Sequence, residues 1–550
     1  MKIQLLNNII EKTLQEIYKY LNHNFSKIEI DIINNELINI VEFNPNEYSH
    51  IPGEYSYLEM QSILSTLNEK ESNRKSKGVY YTPNDVVSFI FSNAVKSLYG
   101  IIKKSNLHVQ DLNGVPYKSF CYQNSVFDPT CGAGEFLLVA LATKLDLVDL
   151  HQTNVSNIDL CKVVHTIHGN DINHDSTTIT KFRLFIYILN RYGAEKVCGF
   201  SAELNRNFTN IDFINLDKNF DKTYDIIIGN PPYVEDSKSD TVPLKRYGNV
   251  YANVLDNASN CLATNGVIGF IIPLSYISTP RMKKIRNILI NKLSEQYILS
   301  YCDRPDCLFP SVHQKLSILI AKHRAGNEET KIYTGNYQFW YKEERNDLFK
   351  NVPAILNMFS KEEYIPKLGS VYDQQVYRKV TENHTSLFTL LNEGDVPVYL
   401  NMRAAFWIKA FREEHNTGEY KNYGCSSNEL ANLSFCILNS SIFWWYWIGV
   451  SDCWHITNKE LKGFAVPYID DFEKVNVLAK KLENKLENTK QYVGTKQTEY
   501  EYKHKDCIDE IHEIDDLVCQ LYGLTEEEKI HIKNFGFRYR VGGGAVNESN

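Results

Sequence analysis

Hydrophobic and polar positions along the chain follow two different periods. Up to about residue 75, apolar residues recur at helical spacing, as in MKIQLLNNIIEKTLQEIYKYL at the start, and predict amphipathic helices joined by polar loops. Between about Ser76 and Arg324, short apolar runs alternate with helical stretches. Val126-Phe127-Asp128 is followed by Phe136 to Leu145, Val163 to Gly169 by Thr178 to Tyr192, and Tyr224 to Ile228 by Val250 to Leu262 and then Val267 to Ile272. This rhythm predicts an α/β domain with a doubly wound, Rossmann-like sheet. A basic helix (Arg281, Lys283, Lys284, Arg286) then leads to Gln296–Tyr301 and Leu316–Ile320, two runs able to close the sheet as a hairpin. From about Glu328 to Asp471 the alternation stops and aromatic clusters take over, YQFWY at 337–341 and FWWYW at 443–447, which predicts a second, mixed α+β domain. Phe472 to Lys490 and Ile508 to Leu521 return to helical periodicity. The expected division is 1–75 helical, 76–327 α/β, 328–540 mixed with terminal helices, and 541–550 a frayed tail.

Composition narrows the class. With 550 residues, 43% hydrophobic and 23% charged, the chain has the balance of a folded globular protein of two or three domains. Its net charge of -8 excludes a histone-like binder, so a polyanion would need a local basic surface. Residues 271–350 provide one, with 13 basic against 8 acidic side chains, although an ordinary solvated face would look the same. The twelve cysteines form no CxxC pair and read as reduced thiols of a cytoplasmic protein. The start of the chain lacks the apolar core of a signal peptide, and the most apolar runs, Gly266–Leu274 and Phe443–Val450, are far shorter than the roughly 20 residues of a membrane span. No metal site is expected: Cys453 and His455 have no second ligand pair at suitable spacing.

Chemistry concentrates in four segments. In Tyr224-Asp-Ile-Ile-Ile-Gly-Asn-Pro-Pro-Tyr233 an apolar strand delivers Asn230, Pro231, Pro232 and Tyr233 to its carboxyl end, the edge where open α/β sheets bind ligands. The prolines fix φ and remove two donors. The Asn230 side-chain oxygen and the Pro231 carbonyl are then two acceptors suited to the two N–H bonds of an exocyclic amino group, beside the flat face of Tyr233. Upstream, Val126-Phe-Asp-Pro-Thr-Cys-Gly-Ala-Gly-Glu135 ends a strand at Asp128-Pro129 and turns through Gly132 and Gly134, where backbone can approach a ligand. An acid at this strand end disfavours a pyrophosphate and favours an ammonium-bearing ligand, which S-adenosylmethionine is. Asp171 ends the next strand, placed for ribose hydroxyls, with Ile172 beside it for an adenine ring. Asp212 and Phe213 supply an acceptor for the adenine amine and a stacking wall. Taken singly, each of these also reads as a strand-end acid or a core aromatic; their shared order and spacing favour one site.

Lys77-Gly-Val-Tyr-Tyr-Thr-Pro-Asn-Asp-Val-Val-Ser-Phe-Ile90, the Asp128 segment, the Asp171 segment and Asn-Pro-Pro-Tyr, in this order, resemble the γ-class, TaqI-like N6-adenine DNA methyltransferases over about residues 76–324. The resemblance implies a seven-stranded methyltransferase sheet with a reversed hairpin, and Tyr81 and Thr82 at the methionine end of S-adenosylmethionine. It also implies a carboxyl-terminal target-recognition domain and methylation of an adenine turned out of duplex DNA. Cys307-Leu-Phe-Pro-Ser-Val-His-Gln-Lys-Leu-Ser317 matches the position of the second base-stacking aromatic, making Phe309 the candidate. Double-stranded DNA of one short sequence is the expected partner, read by a monomer, with a separately encoded restriction nuclease as a further candidate. An RNA adenine methyltransferase, a protein-glutamine methyltransferase and a non-catalytic DNA-specificity subunit share parts of the signature. The lead-in carries no convincing Pro-Asp…(Asp/Glu)-x-Lys set, so no DNA cleavage by this chain is expected.

Overall fold

The computed structural model describes residues 7–71, 81–102, 106–108, 112–217, 220–310, 312–360, 363–382, 385–415, 418–494 and 499–542. Residues 77–80 of the first motif and the expected tail from 543 lie outside them.

Three helices open the described chain: α1 (Asn8–Asn24), α2 (Lys27–Ile40) and α3 (Tyr57–Glu71). Ser26 starts α2 with a capping box closed by Glu29, and α1 buries Leu14, Ile17, Tyr18 and Leu21 on one face. These helices pack on the α/β unit. Its helices are α4 (Asn84–Leu98), α5 (Glu135–His151), α6 (Asn157–His165), α7 (His174–Tyr192), α8 (Phe200–Asn207), α9 (Val250–Asn260) and α10 (Lys283–Lys292).

The strands are β1 (Val126–Asp128), β2 (Ile167–Asn170), β3 (Phe208–Thr209), β4 (Tyr224–Gly229), β5 (Leu262–Pro273), β6 (Leu293–Tyr301), β7 (Leu316–His323), β8 (Lys331–Thr334) and β9 (Ile355–Leu356). Among the described residues they form one nine-stranded sheet in the order β9-β8-β6-β7-β5-β4-β1-β2-β3. The β1–β5 set is parallel, while β7 runs antiparallel between β5 and β6. The expected sheet with its reversed hairpin is therefore present, and β8 and β9 extend it past residue 327, where the composition changes. The sheet reversal at β1 places the β1 and β4 carboxyl ends side by side, a topological switch point.

One local expectation is corrected. Val163 to Gly169 reads as a strand, but Val163 and Val164 end helix α6, which Ser156 caps by accepting from Asp159 N at 3.1 Å, and the strand begins only at Ile167. A short apolar run fits the buried face of either element, and the Ser-x-x-Asp cap decides it.

The carboxyl-terminal half is mixed α+β. Helix α11 (Val371–Thr381) precedes a small antiparallel sheet of β10 (Val396–Asn401), β11 (Ala410–Phe411) and β12 (Tyr420–Cys425). Helices α12 (Asn428–Asn439), α13 (Ser441–Val450), α14 (Glu473–Thr489), α15 (Ile508–Leu521) and α16 (Glu526–Asn534) follow. All ten residues of α13, the FWWYW helix, are buried. No single helix among the described residues is long and apolar enough to cross a membrane; α12 and α13 pass that test only together, bent by 62°. No disulfide joins the cysteines among these residues.

Candidate active site

A cavity of about 500 Å³ opens at the carboxyl ends of β1, β2 and β4. Tyr81, Thr82, Asp128, Pro129, Gly132, Asp171, Ile172, Asp212, Phe213, Asn230 and Pro232 of the sequence-predicted set all line it. The structure thus brings five separate segments to one place.

Each is held by its own backbone. Asp128, 1% exposed, accepts from Thr130 N at 3.0 Å, and burial pushes its carboxyl well above the usual range. Gly132 (φ +54°) and Gly134 (φ +87°) form the left-handed turn after it. At Gly134, where α5 begins, a Cβ would lie 2.5 Å from Thr180 Cγ2, so only glycine fits. Asp171 grips the same turn: one carboxylate oxygen accepts from Gly132 N at 3.0 Å and the other from Asn173 N at 2.9 Å, while burial raises its pKa. Both oxygens keep a second lone pair for hydroxyl donors. Ile172, 63% exposed, presents an apolar side chain beside them. Asp212 accepts from Ile214 N and from Asn215 Nδ2, both at 3.1 Å, and the Phe213 ring packs edge-on against Phe127.

At the end of β4, Asn230 Nδ2 donates to Thr82 Oγ1 at 3.0 Å, which sets the amide's rotation and joins the first motif to the fourth. Pro231 is buried and Tyr233 half-buried; the Tyr233 hydroxyl donates to the Ile271 carbonyl of β5 at 2.9 Å. Gly134, Pro231, Tyr233 and Phe309 lie outside the cavity lining. Phe309 is 1% exposed, so its ring is packed inside the loop between β6 and β7 and offers no open stacking face here.

Sequence reasoning missed several contributors. Ser65 of α3, in the helical lead-in, lines the cavity, as do Cys131, Glu135 and the loop Lys238–Thr241 after Asn-Pro-Pro-Tyr. Gln61 of α3 accepts from Arg183 Nε at 2.8 Å, and Arg183 Nη1 donates to the Ala133 carbonyl and to Glu135, both at 2.5 Å. Arg183 is 3% exposed; an arginine inside the otherwise apolar run Phe182-Arg-Leu-Phe-Ile186 was the available signal, because a buried charge must be paired.

The sheet order with its reversed strand, and this cavity at the switch point, define the fold of S-adenosylmethionine-dependent methyltransferases. Among known families, residues 165–306 match the model of the Eco57I restriction-modification methylase. Two curated relatives are similar over part of the chain. M.VspI of Vibrio sp. (strain 343), a type II methyltransferase, is 22% identical over 223 residues, 39% of this chain and 42% of that protein. RM.MjaORFECS2P of Methanocaldococcus jannaschii is 23% identical over 186 residues, 28% of this chain and 15% of that protein. The matches thus span well under two thirds of either relative. The structure of the type IIL restriction-modification enzyme MmeI in complex with DNA has the same fold, with a TM-score of 0.50 and 12% identity over 97% of this chain and 93% of that one.

Proposed function

We propose that the chain is a site-specific DNA methyltransferase that transfers a methyl group from S-adenosylmethionine to N6 of an adenine turned out of duplex DNA. It would act as the modification enzyme of a restriction-modification system or alone. The observation that carries this reading is the placement of Asn230-Pro231-Pro232-Tyr233, with Thr82 on the Asn230 amide, at the rim of a cavity lined by Asp128, Asp171 and Asp212. The family match over residues 165–306 supports it, as does the similarity to proteins named as restriction-modification enzymes.

The residues present fit the cofactor. Asp128 and its neighbours suit an ammonium, Asp171 the ribose hydroxyls, and Ile172, Phe213 and Asp212 an adenine with its amine; Tyr81 and Thr82 close the methionine end. When bound, S-adenosylmethionine supplies an electrophilic methyl on a sulfonium. The target amine is a poor nucleophile because its lone pair is delocalised into the ring. Accepting its two hydrogens at the Asn230 side-chain oxygen and the Pro231 carbonyl favours a pyramidal nitrogen and stabilises positive charge as it develops there. Extruding the base costs a few kcal/mol, and stacking on Tyr233 offsets about 1–3 kcal/mol of that.

Expression in a host without adenine methylation, followed by long-read detection of modified bases, tests the proposal. Methyl-adenine at one short motif, absent with Asn230→Ala, is the expected result. Unmodified DNA from a soluble protein that binds S-adenosylmethionine would refute it and turn attention to RNA or protein-glutamine substrates.

A further inference from the structure

One turn of the carboxyl-terminal half reaches the catalytic edge of the sheet. Strand β6 runs parallel to β4, so the loop from Tyr301 to Leu316 leaves the sheet at the same edge as Asn230. Leu316 pairs with Pro273, two residues beyond the Ile271 carbonyl that holds Tyr233, and Leu274 N donates to the Lys315 carbonyl at 3.0 Å. The Lys315 ammonium lies 3.3 Å from the ring centroid of Trp454 and pairs with Asp303 at 3.1 Å.

Trp454 is unusual for its exposure. It is 43% exposed, whereas Trp340, Trp444, Trp445 and Trp447 are at most 3% exposed and Trp407 is half-buried. The open ring is held firmly. Cys453 before it sits at φ +59°, a conformation that a residue with a Cβ adopts only when its surroundings impose it. Those surroundings are on hand. Cys453 N donates to Ser451 Oγ at 2.9 Å, Trp454 N to Asp452 Oδ1 at 3.0 Å, and Trp447 Nε1 to the His455 carbonyl at 3.1 Å. Lys367 Nζ donates to the Ser451 carbonyl at 2.8 Å, and Lys459 ties the neighbouring helix to the Ser278 carbonyl at 2.7 Å. Arg304, His313 and Arg403 are exposed on the same two segments and their bridge partner strand. Of the acids on these segments, Asp303 is paired with Lys315, Glu419 with Arg403, and Asp452 caps the turn, while Asp306 is half-buried on the same loop as Arg304. A rigid indole backed by the Lys315 ammonium, with exposed Arg304 and Arg403 on the neighbouring segments, has the chemistry that binds nucleic acid: a π-face for a base and positive charge for phosphates.

We propose that Trp454 is a DNA contact, its open face stacking on a nucleobase at the catalytic edge while Lys315 supports the other face. The proposal rests on the reading of the chain as a DNA methyltransferase and adds an aromatic residue from outside the α/β unit, at the edge where Phe309 is packed away.

The test uses the full chain with a short duplex of the sequence it methylates. Acrylamide quenching of tryptophan fluorescence, with Trp454→Phe to isolate the Trp454 signal, is compared with and without DNA. Expected are protection of Trp454 by DNA, a loss of duplex affinity of about tenfold or more in Trp454→Ala, and recovery to within about threefold in Trp454→Phe, with unfolding temperatures unchanged. Wild-type protein that binds and methylates DNA while Trp454 stays open to quencher, or a Trp454→Ala variant that binds as tightly as wild type, would overturn the proposal and leave the functional reading standing. Wild-type protein that neither methylates nor binds any duplex would overturn both, and capture of a protein partner by this turn with no DNA protection would assign the surface elsewhere.

Discussion

One methyl group placed between two motif loops makes a sharp test. Gly229 ends β4 just before Asn230, and a Cβ there would lie 2.7 Å from Asp128 Oδ1, inside any normal contact. Its φ lies outside the left-handed region, so Gly229→Ala adds no backbone strain and acts only through this overlap. The Asp128 carboxyl must swing away and give up its bond from Thr130 N. Overpacking of this kind costs about 1–3 kcal/mol, which lowers the unfolding temperature by roughly 2–10 °C in a domain of this size. The displaced carboxyl no longer lies where a cationic ligand group would meet it, so S-adenosylmethionine affinity should fall at least about tenfold, or 1.4 kcal/mol. Calorimetric titration and thermal unfolding with and without cofactor measure both effects. In an Asp128→Ala background the new methyl meets no oxygen, and the stability cost of Gly229→Ala should drop by about 1–2 kcal/mol. A Gly229→Ala variant that melts and binds cofactor like wild type, or a cycle with no coupling, would refute the argument that these loops form one site.

The Asn-Pro-Pro-Tyr loop should separate binding from turnover: Asn230→Ala is expected to lose at least about a hundredfold in methylation rate while calorimetry shows cofactor binding retained. Tyr233→Phe removes the hydroxyl bond to the Ile271 carbonyl but keeps the ring and should stay within a few-fold of wild type, whereas Tyr233→Ala should lose about ten- to a hundredfold in a single-turnover assay. Burial raises the Asp128 pKa, so between its unfolded and folded values the folded chain holds the extra proton and stability falls as pH rises. Asp128→Asn should therefore melt higher than wild type in ligand-free protein near pH 7, with a flatter dependence in melts from pH 4 to 8, yet bind cofactor more weakly; a lower melting temperature at pH 7 would contradict this. Gln61→Leu leaves the buried Arg183 Nε without its acceptor and should cost about 1–3 kcal/mol in chemical denaturation together with weaker cofactor binding.

The α/β unit was legible because its segments obey simple periods: the runs around Val126, Tyr224 and Val267 are strands, and those around Phe136, Thr178 and Val250 are helices. Asp128, Asp171 and Asn230 were legible because each stands at a strand end, where topology fixes position, while Tyr81 and Thr82 stand just before α4 and were legible only from their motif. Two kinds of feature were not. Val163-Val164 lies where an apolar pair satisfies helix and strand equally. Ser65 and Gln61 reach the site through tertiary packing, and nothing in their own segment marks them. Phe309 shows the same limit from the other side, since its sequence position is at the same sheet edge as Asn230 while the exposure of its ring depends on how the loop around it packs. The carboxyl-terminal half was legible only as aromatic and mixed, because its small sheet and bundle rest on contacts between residues far apart in sequence.

The site also draws on chain beyond the sheet's parallel core. Arg345 lies past β8, yet its guanidinium donates to both oxygens of Asp85, at 2.6 and 3.0 Å, and to the Cys307 and Leu308 carbonyls at 3.2 and 3.0 Å. Asp85 stands in the first turn of α4, three residues after Thr82, whose hydroxyl orients Asn230. A planar fork satisfied by a carboxylate on one side and two carbonyls on the other leaves few other geometries, so Arg345 fixes α4 relative to the loop that carries Phe309. Arg183 does the same beside the cavity, joining α3 to the Gly132–Glu135 turn. The parallel strands thus set where the motif loops emerge, while two arginines, one from α7 reaching the helical lead-in and one from beyond β8, set how those loops stand against one another. That division explains why motif order identifies the site and yet leaves its final geometry to residues outside every motif.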